Sequence, residues 1–460
     1  VIGAEVRLRP APKPGVPLAV PVVAASAAAA AWAGLAAGFA AGVGELRDAA
    51  TAEGRVLLLG AGQPKRAADW EALGAAAVRS AGPVKRLALN ARGLPPEAAV
   101  ALATGAALAA WHPHAAPLRR LDLVVDQPAA VAPLWARAAA AVQGALFTRE
   151  LTALPGNVLH PSAFAARLEA LAEHGIHVDV LGAKRLRRLG AGALLAVGAG
   201  AQHGPRLAVL RWRGQFAVPP VVFIGKGITF DTGGISIKPA EGMERMTSDM
   251  AGAAACAGAL LALALRRSPA PAVAVLAIAE NTTGAQSYRP GDVLRTMSGR
   301  TVEVVDTDAE GRLVLADALH YAATRFKPQA MLDLATLTGA MVTALGSHRA
   351  GIFTNDPALQ AQAAAAGDQV GEALWPMPIG AQHRADLDSA IADLKQCCAG
   401  SLLPDASHAA AFLREFVGDT PWAHLDIAGV RLDEKGLPTG FGARLLDRLV
   451  ELYFEHPDHH

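Results

Sequence analysis

Cysteine is nearly absent: the 460-residue chain has three, two of them adjacent at Cys397 and Cys398. So few thiols cannot build a disulfide framework, and they suit a reducing compartment, which predicts a cytoplasmic protein. Neither sign of charge is in excess. With 42 basic against 41 acidic residues, there is no broad basic field to draw in a phosphate backbone, and a nucleic-acid partner is not expected. Glycine and proline, at 46 and 30 residues, stay below the share typical of low-complexity chains. Charge is missing altogether over the 31 residues 14–44, more than the roughly 20 that cross a bilayer. That run is mostly alanine, broken by Pro17, Pro21, Gly34 and Gly38, and alanine drives insertion only weakly. Trp32, Leu35 and Phe39 recur at helical spacing, which predicts a soluble helix over 27–41 packed on a sheet rather than a membrane span. Upstream, the alternation Glu5-Val6-Arg7-Leu8-Arg9 reads as ordered chain and not as a secretory leader.

What is present is an α/β pattern. Hydrophobic residues make up 52% of the chain, and at about 150 residues per domain the length predicts two or three folding units. Over 1–150, branched-chain runs at 55–60, 85–89 and 121–125 alternate with helical stretches at 67–77, 96–110 and 129–148. This predicts a small N-terminal α/β domain with a mostly parallel sheet. Leu59-Gly60-Ala61-Gly62 has the glycines of a dinucleotide-binding turn, but Gln63-Pro64 breaks the helix entry that such a turn needs. A linking helical region is expected over 151–190, with helices at 161–173 and 183–189 around a strand at 176–180. The remainder, 191–460, is expected to form a larger catalytic α/β domain with a central mixed sheet flanked by helices. Its strands are placed at 206–212, 219–224, 272–279 and 301–305, and helices at 249–265 and 313–323.

Between 224 and 340 the charged residues do not read as a solvated face. Lys226, Asp231, Lys238, Asp249, Asp308, Glu310 and Arg312 lie beside glycines and predicted strand ends. Buried carboxylates are costly unless a metal or cation compensates them. Asp308 and Glu310 stand two residues apart just before a helical run. Acids with no histidine or cysteine near them in the chain favour hard or borderline divalent ions bound through oxygen.

Four segments, IGKGITFDTGGISIK at 224–238, MTSDM at 246–250, DTDAEGRL at 306–313 and ATLTGA at 335–340, resemble the leucyl aminopeptidase (cytosol aminopeptidase) family of two-metal aminopeptidases, in family order and spacing. Weaker similarity reaches LLAVG at 194–198, PWAHLD at 421–426 and TGFG at 439–442, so about 300 residues are covered. The N-terminal part has only the α/β pattern in common with the family's variable first domain.

The resemblance implies one tightly held metal on Lys226, Asp231, Asp249 and Glu310, and a more exchangeable one between Asp231, Asp308 and Glu310, the Asp308 carbonyl helping. Zinc or manganese is expected, with magnesium or cobalt open for the exchangeable position. It implies a metal-dependent exopeptidase that removes an apolar first residue such as leucine from short peptides, two metals activating a bridging water. Lys238 would assist the oxyanion, Arg312 would hold a bicarbonate acting as general base, and Met246, Thr336 and Gly339 would line the first-residue pocket. A homo-hexamer with enclosed active sites is implied as well. Two departures stand out. Asp306 occupies a position where the family usually has asparagine, and 400–409 replaces the family's glycine-rich stretch. The residues alone leave one alternative, a two-metal phosphoesterase, since the same groups suit phosphoryl transfer; the resemblance implies another, an aminopeptidase with an added DNA-binding role, for which the modest basic clusters are Lys184, Arg185, Arg187 and Arg188, and Arg119 and Arg120.

Overall fold

The computed structural model describes residues 3–23, 35, 39–52, 54–114, 118–400 and 403–456. The chain divides into two compact units, Val1–Leu146 and Phe147–His460.

The first unit is built on a six-stranded sheet in the order Glu5–Arg9, Arg120–Val124, Arg86–Asn90, Leu18–Val23, Gly54–Gly62, Leu46–Thr51. All neighbours are parallel except the last pair. Helices Ala67–Ala81 and Pro96–Ala109 are the expected crossovers, and Leu57, Leu87, Leu89, Leu121 and Leu123 are wholly buried beneath them. The early part of the uncharged run is a strand of this sheet, Leu18–Val23, buried almost throughout. Most of the helix expected at 27–41 lies outside the described residues. Leu35 and Phe39, both partly buried, pack with Leu18, Val20 and Leu58.

The second unit carries an eight-stranded mixed sheet in the order Leu374–Pro376, Ala350–Thr354, Trp422–Asp426, Ala330–Ala335, Val221–Asp231, Ala272–Asn281, Arg206–Trp212, His177–Gly182. The four central strands run parallel and the flanking ones include antiparallel pairs. Central parallel strands buried on both faces are continuously apolar. In Val221–Asp231, Phe223 faces the helix Ala251–Leu265, whereas Val222 and Ile224 face the helix Glu310–Phe326 on the other side. A three-stranded sheet, Val293–Arg295, Thr301–Glu303 and Leu394–Lys395, stands apart.

One strand differs from expectation in a way that matters. It does not end at Ile224 but runs on through Asp231. Its glycines are needed for close approach and not for a turn: a Cβ at Gly225 would sit 2.4 Å from the Ala253 Cα of the covering helix. The extra residues place Lys226 and Asp231 on one rigid strand. Helix Glu310–Phe326 likewise starts earlier than expected, so Glu310 opens it and Asp308 lies just before.

Candidate metal centre and active site

Open α/β sheets bind ligands beyond the carboxyl ends of their strands, and the polar residues of the second unit gather at that edge. Asp231 ends one central strand beside Asn281 of the next. Thr336 to Gly339 follow the strand Ala330–Ala335, and Asp426 ends the strand Trp422–Asp426. Asp426 collects the amides of Leu337, Thr338 and Ala428, each at 3.1 Å, and the Thr338 hydroxyl at 2.7 Å, which fixes the 336–339 loop. A cavity of about 580 Å³ opens there, lined by Lys226, Asp231, Lys238, Asp249, Asp308 and Arg312 together with Met246, Thr336 and Gly339. Glu310 reaches the same cluster through Lys226.

Lys226 Nζ lies 2.9 Å from Asp249 Oδ2 and 2.8 Å from Glu310 Oε1, and donates to the Thr336 carbonyl at 2.9 Å. Thr336 Oγ1 donates to Asp249 Oδ1 at 2.5 Å. Lys238 Nζ lies 2.9 Å from Asp231 Oδ2 and also pairs with Asp308. The turn that returns Lys238 to Asp231 requires glycine. Gly233 has φ +87°, and a Cβ there would meet the Ser236 carbonyl at 2.4 Å; in exchange its amide donates to Asp231 Oδ1 at 2.9 Å. Arg312 donates through Nη1 to the Gln396 carbonyl at 3.0 Å and through Nη2 to Asp405 Oδ1 at 2.8 Å.

The electrostatics mark a cluster short of cations. Burial and the neighbouring Asp231 push Glu310 up to about 8 and Asp308 up to about 7, and burial raises Asp249. Burial also opposes the charge on Lys226, but Asp249, Glu310 and Asp231 outweigh it and hold the ammonium above its usual range; Asp231 and Asp308 do the same for Lys238. Asp249 Oδ2 and Glu310 Oε1 face the Lys226 ammonium and Asp308 Oδ1 faces that of Lys238, so two lysines serve the four carboxylates of Asp231, Asp249, Asp308 and Glu310. One oxygen each of Asp231, Asp308 and Glu310 lie within 4.8 Å of one another. Oxygen donors this close, carrying more negative charge than the two lysines offset, fit hard or borderline divalent ions.

Other residues of the site have no signal in the linear sequence. Asn281 Nδ2 donates to Asp231 Oδ1 at 2.7 Å and to the Thr307 carbonyl at 3.0 Å. Gln396 clamps the loop before Glu310, accepting from Val305 N at 2.6 Å and donating to the carbonyls of Asp306 at 2.8 Å and Ala309 at 3.2 Å. Asp405 and Arg431 line the cavity from far along the chain. Cysteine, distant from the acids in sequence, is present in space: Cys397 and Cys398 line the same cavity, and burial pushes the Cys397 thiol up to about 11. Of the departing segment 400–409, Gly400, Leu403 and Asp405 form part of the rim; Ser401 and Leu402 lie outside the described residues. Asp306 Oδ1 accepts from the Asp308 amide at 2.9 Å, a bond that shapes the turn carrying Asp308.

A doubly covered α/β sheet with four carboxylates against two lysines at its carboxyl edge fits a metal-dependent hydrolase, and comparison with known proteins agrees. Residues 146–447 match the catalytic domain of the cytosol aminopeptidase family. A probable cytosol aminopeptidase of Gluconobacter oxydans is 48% identical over 342 residues, 73% of this chain and 69% of the relative. One of Brucella ovis is 41% identical over 432 residues, 87% and 85% of the two chains. Among solved structures, the bottromycin maturation enzyme BotP superposes with a TM-score of 0.87 at 35% identity, over 96% of this chain and all of that one; the enzyme has also been solved in complex with Mn. A mutant of tomato leucine aminopeptidase gives a TM-score of 0.87 at 28% identity, over 98% and 96% of the chains. The chain belongs to the cytosol aminopeptidase family. It is a metallo-aminopeptidase, a hydrolase of peptides, which selects the peptidase over the phosphoesterase alternative.

Proposed function

We propose that the chain is a two-metal aminopeptidase that removes an apolar first residue, such as leucine, from short peptides. The observation that carries this is the convergence of Asp231, Asp249, Asp308 and Glu310 on two lysines, four carboxylates against two cations. Asp231 and Glu310 would contribute to both ions, Lys226 and Asp249 would complete the tighter site, and Asp308 would complete the more exchangeable one. When bound, the ions, zinc or manganese with magnesium or cobalt as substitutes in the exchangeable site, supply Lewis-acid polarisation of the scissile carbonyl and a water of lowered pKa. Lys226 would serve as a ligand only as the neutral amine, whereas Asp249 and Glu310 favour its ammonium form. Lys238 retains its proton and donates to the oxygen that gains negative charge as the carbonyl is attacked. Arg312 is buried at the cavity wall with Nε unpartnered, the position from which it would hold bicarbonate as proton acceptor. Met246, Thr336 and Gly339 border the first side chain, with Leu337, Ala340 and Val342 adding apolar surface. The Thr336 hydroxyl is engaged by Asp249, so it offers no free polar group to that pocket.

A second role on nucleic acid has no observation in its favour: Arg185 is bidentate to Asp179 at 2.7 and 2.9 Å, and Leu186 of the same helix is buried. We place the enzyme in the cytoplasm and expect a hexamer; a monomer in sedimentation at working concentration would contradict the assembly. The decisive experiment is elemental analysis with aminoacyl-anilide turnover for wild type and Glu310→Ala. The variant is expected to lose metal and activity together, and full activity in it would defeat the shared-ligand role.

A further inference from the structure

The cavity holds four cationic side chains, and three have carboxylate partners. Lys226 lies against Asp249 and Glu310, Lys238 against Asp231 and Asp308, and Arg312 against Asp405. Arg431, among the described residues, has no carboxylate at ion-pair distance. Its guanidinium is nevertheless held in place: Nε donates to Ser248 Oγ at 2.8 Å and Nη1 to the Ala428 carbonyl, while Ser248 Oγ donates onward to the Arg245 carbonyl at 2.6 Å. Nη2 has no hydrogen-bond partner among the described residues. Burial lowers the Arg431 pKa, Asp249 and Asp426 pull it back, and Arg245 adds to the lowering, yet a guanidinium stays charged in proteins. A half-buried, oriented guanidinium with no carboxylate partner, facing a substrate cavity, offers a substrate carboxylate a charged hydrogen-bonding partner.

Its position says which part of the substrate. Met246 and Ser248 belong to one turn, Met243–Ser248, and Met246, Thr336, Gly339, Val342, Ala428 and Arg431 line the same cavity. Arg431 thus stands at the wall assigned to the first side chain. We infer that Arg431 determines specificity by receiving the side-chain carboxylate of an N-terminal glutamate or aspartate, so that the enzyme releases acidic first residues as well as apolar ones. Glutamate suits best, its methylenes lying on the apolar wall and its carboxylate on the planar fork. The inference rests on the aminopeptidase reading of the cavity and departs from the purely apolar recess that the family resemblance implies.

The test uses the full chain reconstituted with divalent metal, on p-nitroanilides of Glu, Gln and Leu and on Leu-Gly and Leu-Gly-amide. Wild type is expected to hydrolyse the Glu substrate well above its neutral isostere Gln. Arg431→Met should lower the Glu-to-Leu ratio of kcat/KM by about 10- to 100-fold, the worth of a charged hydrogen-bonded pair, with the loss mainly in KM for Glu, and Arg431→Lys should restore part of it. Glu no better than Gln, or equal losses on Glu and Leu in Arg431→Met, would overturn the inference, the latter marking a merely structural arginine. An effect that follows the C-terminal carboxylate, separating Leu-Gly from its amide, would overturn it too. If wild type cleaves Leu but not Glu, only this inference falls; if it cleaves neither, the aminopeptidase reading falls with it.

Discussion

Asn281 donates to Asp231 across two parallel strands at 2.7 Å, and the same Nδ2 holds the carbonyl of Thr307 at 3.0 Å. One amide therefore ties the end of a central strand to the loop that bears Asp308.

Groups that orient a metal ligand are typically worth 10- to 100-fold in affinity. Asn281→Ala is expected to weaken divalent-metal binding by about that range, with the fold retained. Calorimetric titration of metal-free protein measures it, and wild-type affinity in the variant would show that Asp231 needs no such support.

Asp306 offers a milder change. Asparagine retains the Oδ1 acceptor for the Asp308 amide, so Asp306→Asn should leave thermal stability unaltered while removing one negative charge beside the site. Metal affinity should fall several-fold, and less so as salt rises. A lower melting temperature without a change in affinity would mean that the charge acts on the fold instead.

Gln396 is wholly buried and satisfies one amide and two carbonyls of the 305–309 loop. Truncation leaves these groups without partners, each costing about 1–3 kcal/mol, so Gln396→Ala should lose roughly 2–5 kcal/mol in urea unfolding. Turnover should fall further than stability predicts, because the loop that the Gln396 side chain clamps bears Asp308.

His424 carries a pH signature. Its Nδ1 lies 2.6 Å from Asp333 Oδ1, whose other oxygen accepts from Trp422 Nε1 at 2.6 Å. Burial opposes the imidazolium, but Asp333, helped by Asp426, raises the His424 pKa above 6.5. A histidine whose folded pKa is raised contributes stability that is fully present below the unfolded value and is lost as pH rises through the folded one. His424→Gln should therefore cost about 3–5 kcal/mol near pH 6, the penalty for an uncompensated buried carboxylate, and the gap to wild type should narrow above pH 6.5. A gap that is constant from pH 5 to 9 would show that His424 titrates alike in the folded and unfolded states, and one that widens above pH 6.5 would show that it is buried neutral.

The α/β class was legible because strand and helix periods alternate cleanly: helix Ala183–Leu189 and strand Arg206–Trp212 fall where the pattern places them. The continuation of the strand Val221–Asp231 beyond Ile224 was not, because glycine read locally signals a turn, whereas here it admits a helix backbone. The charged candidates from Lys226 to Arg312 were legible as a group because they interrupt apolar strands and recur in family spacing. Their supports were not. Gln396 reaches Val305 across 91 positions and Arg431 reaches Ser248 across 183, and no local pattern encodes a pairing at that separation.

By itself the sequence determined the kind of protein: alternating periods dictate sheet and helix, and carboxylates beside strand ends must find cations once the sheet is buried. Only the tertiary structure decided which charges remain unpaired. Lys226, Lys238 and Arg312 find carboxylates where the chain crosses itself, and Arg431 does not. Coulomb energy depends on distance through space, and the fold alone sets that distance.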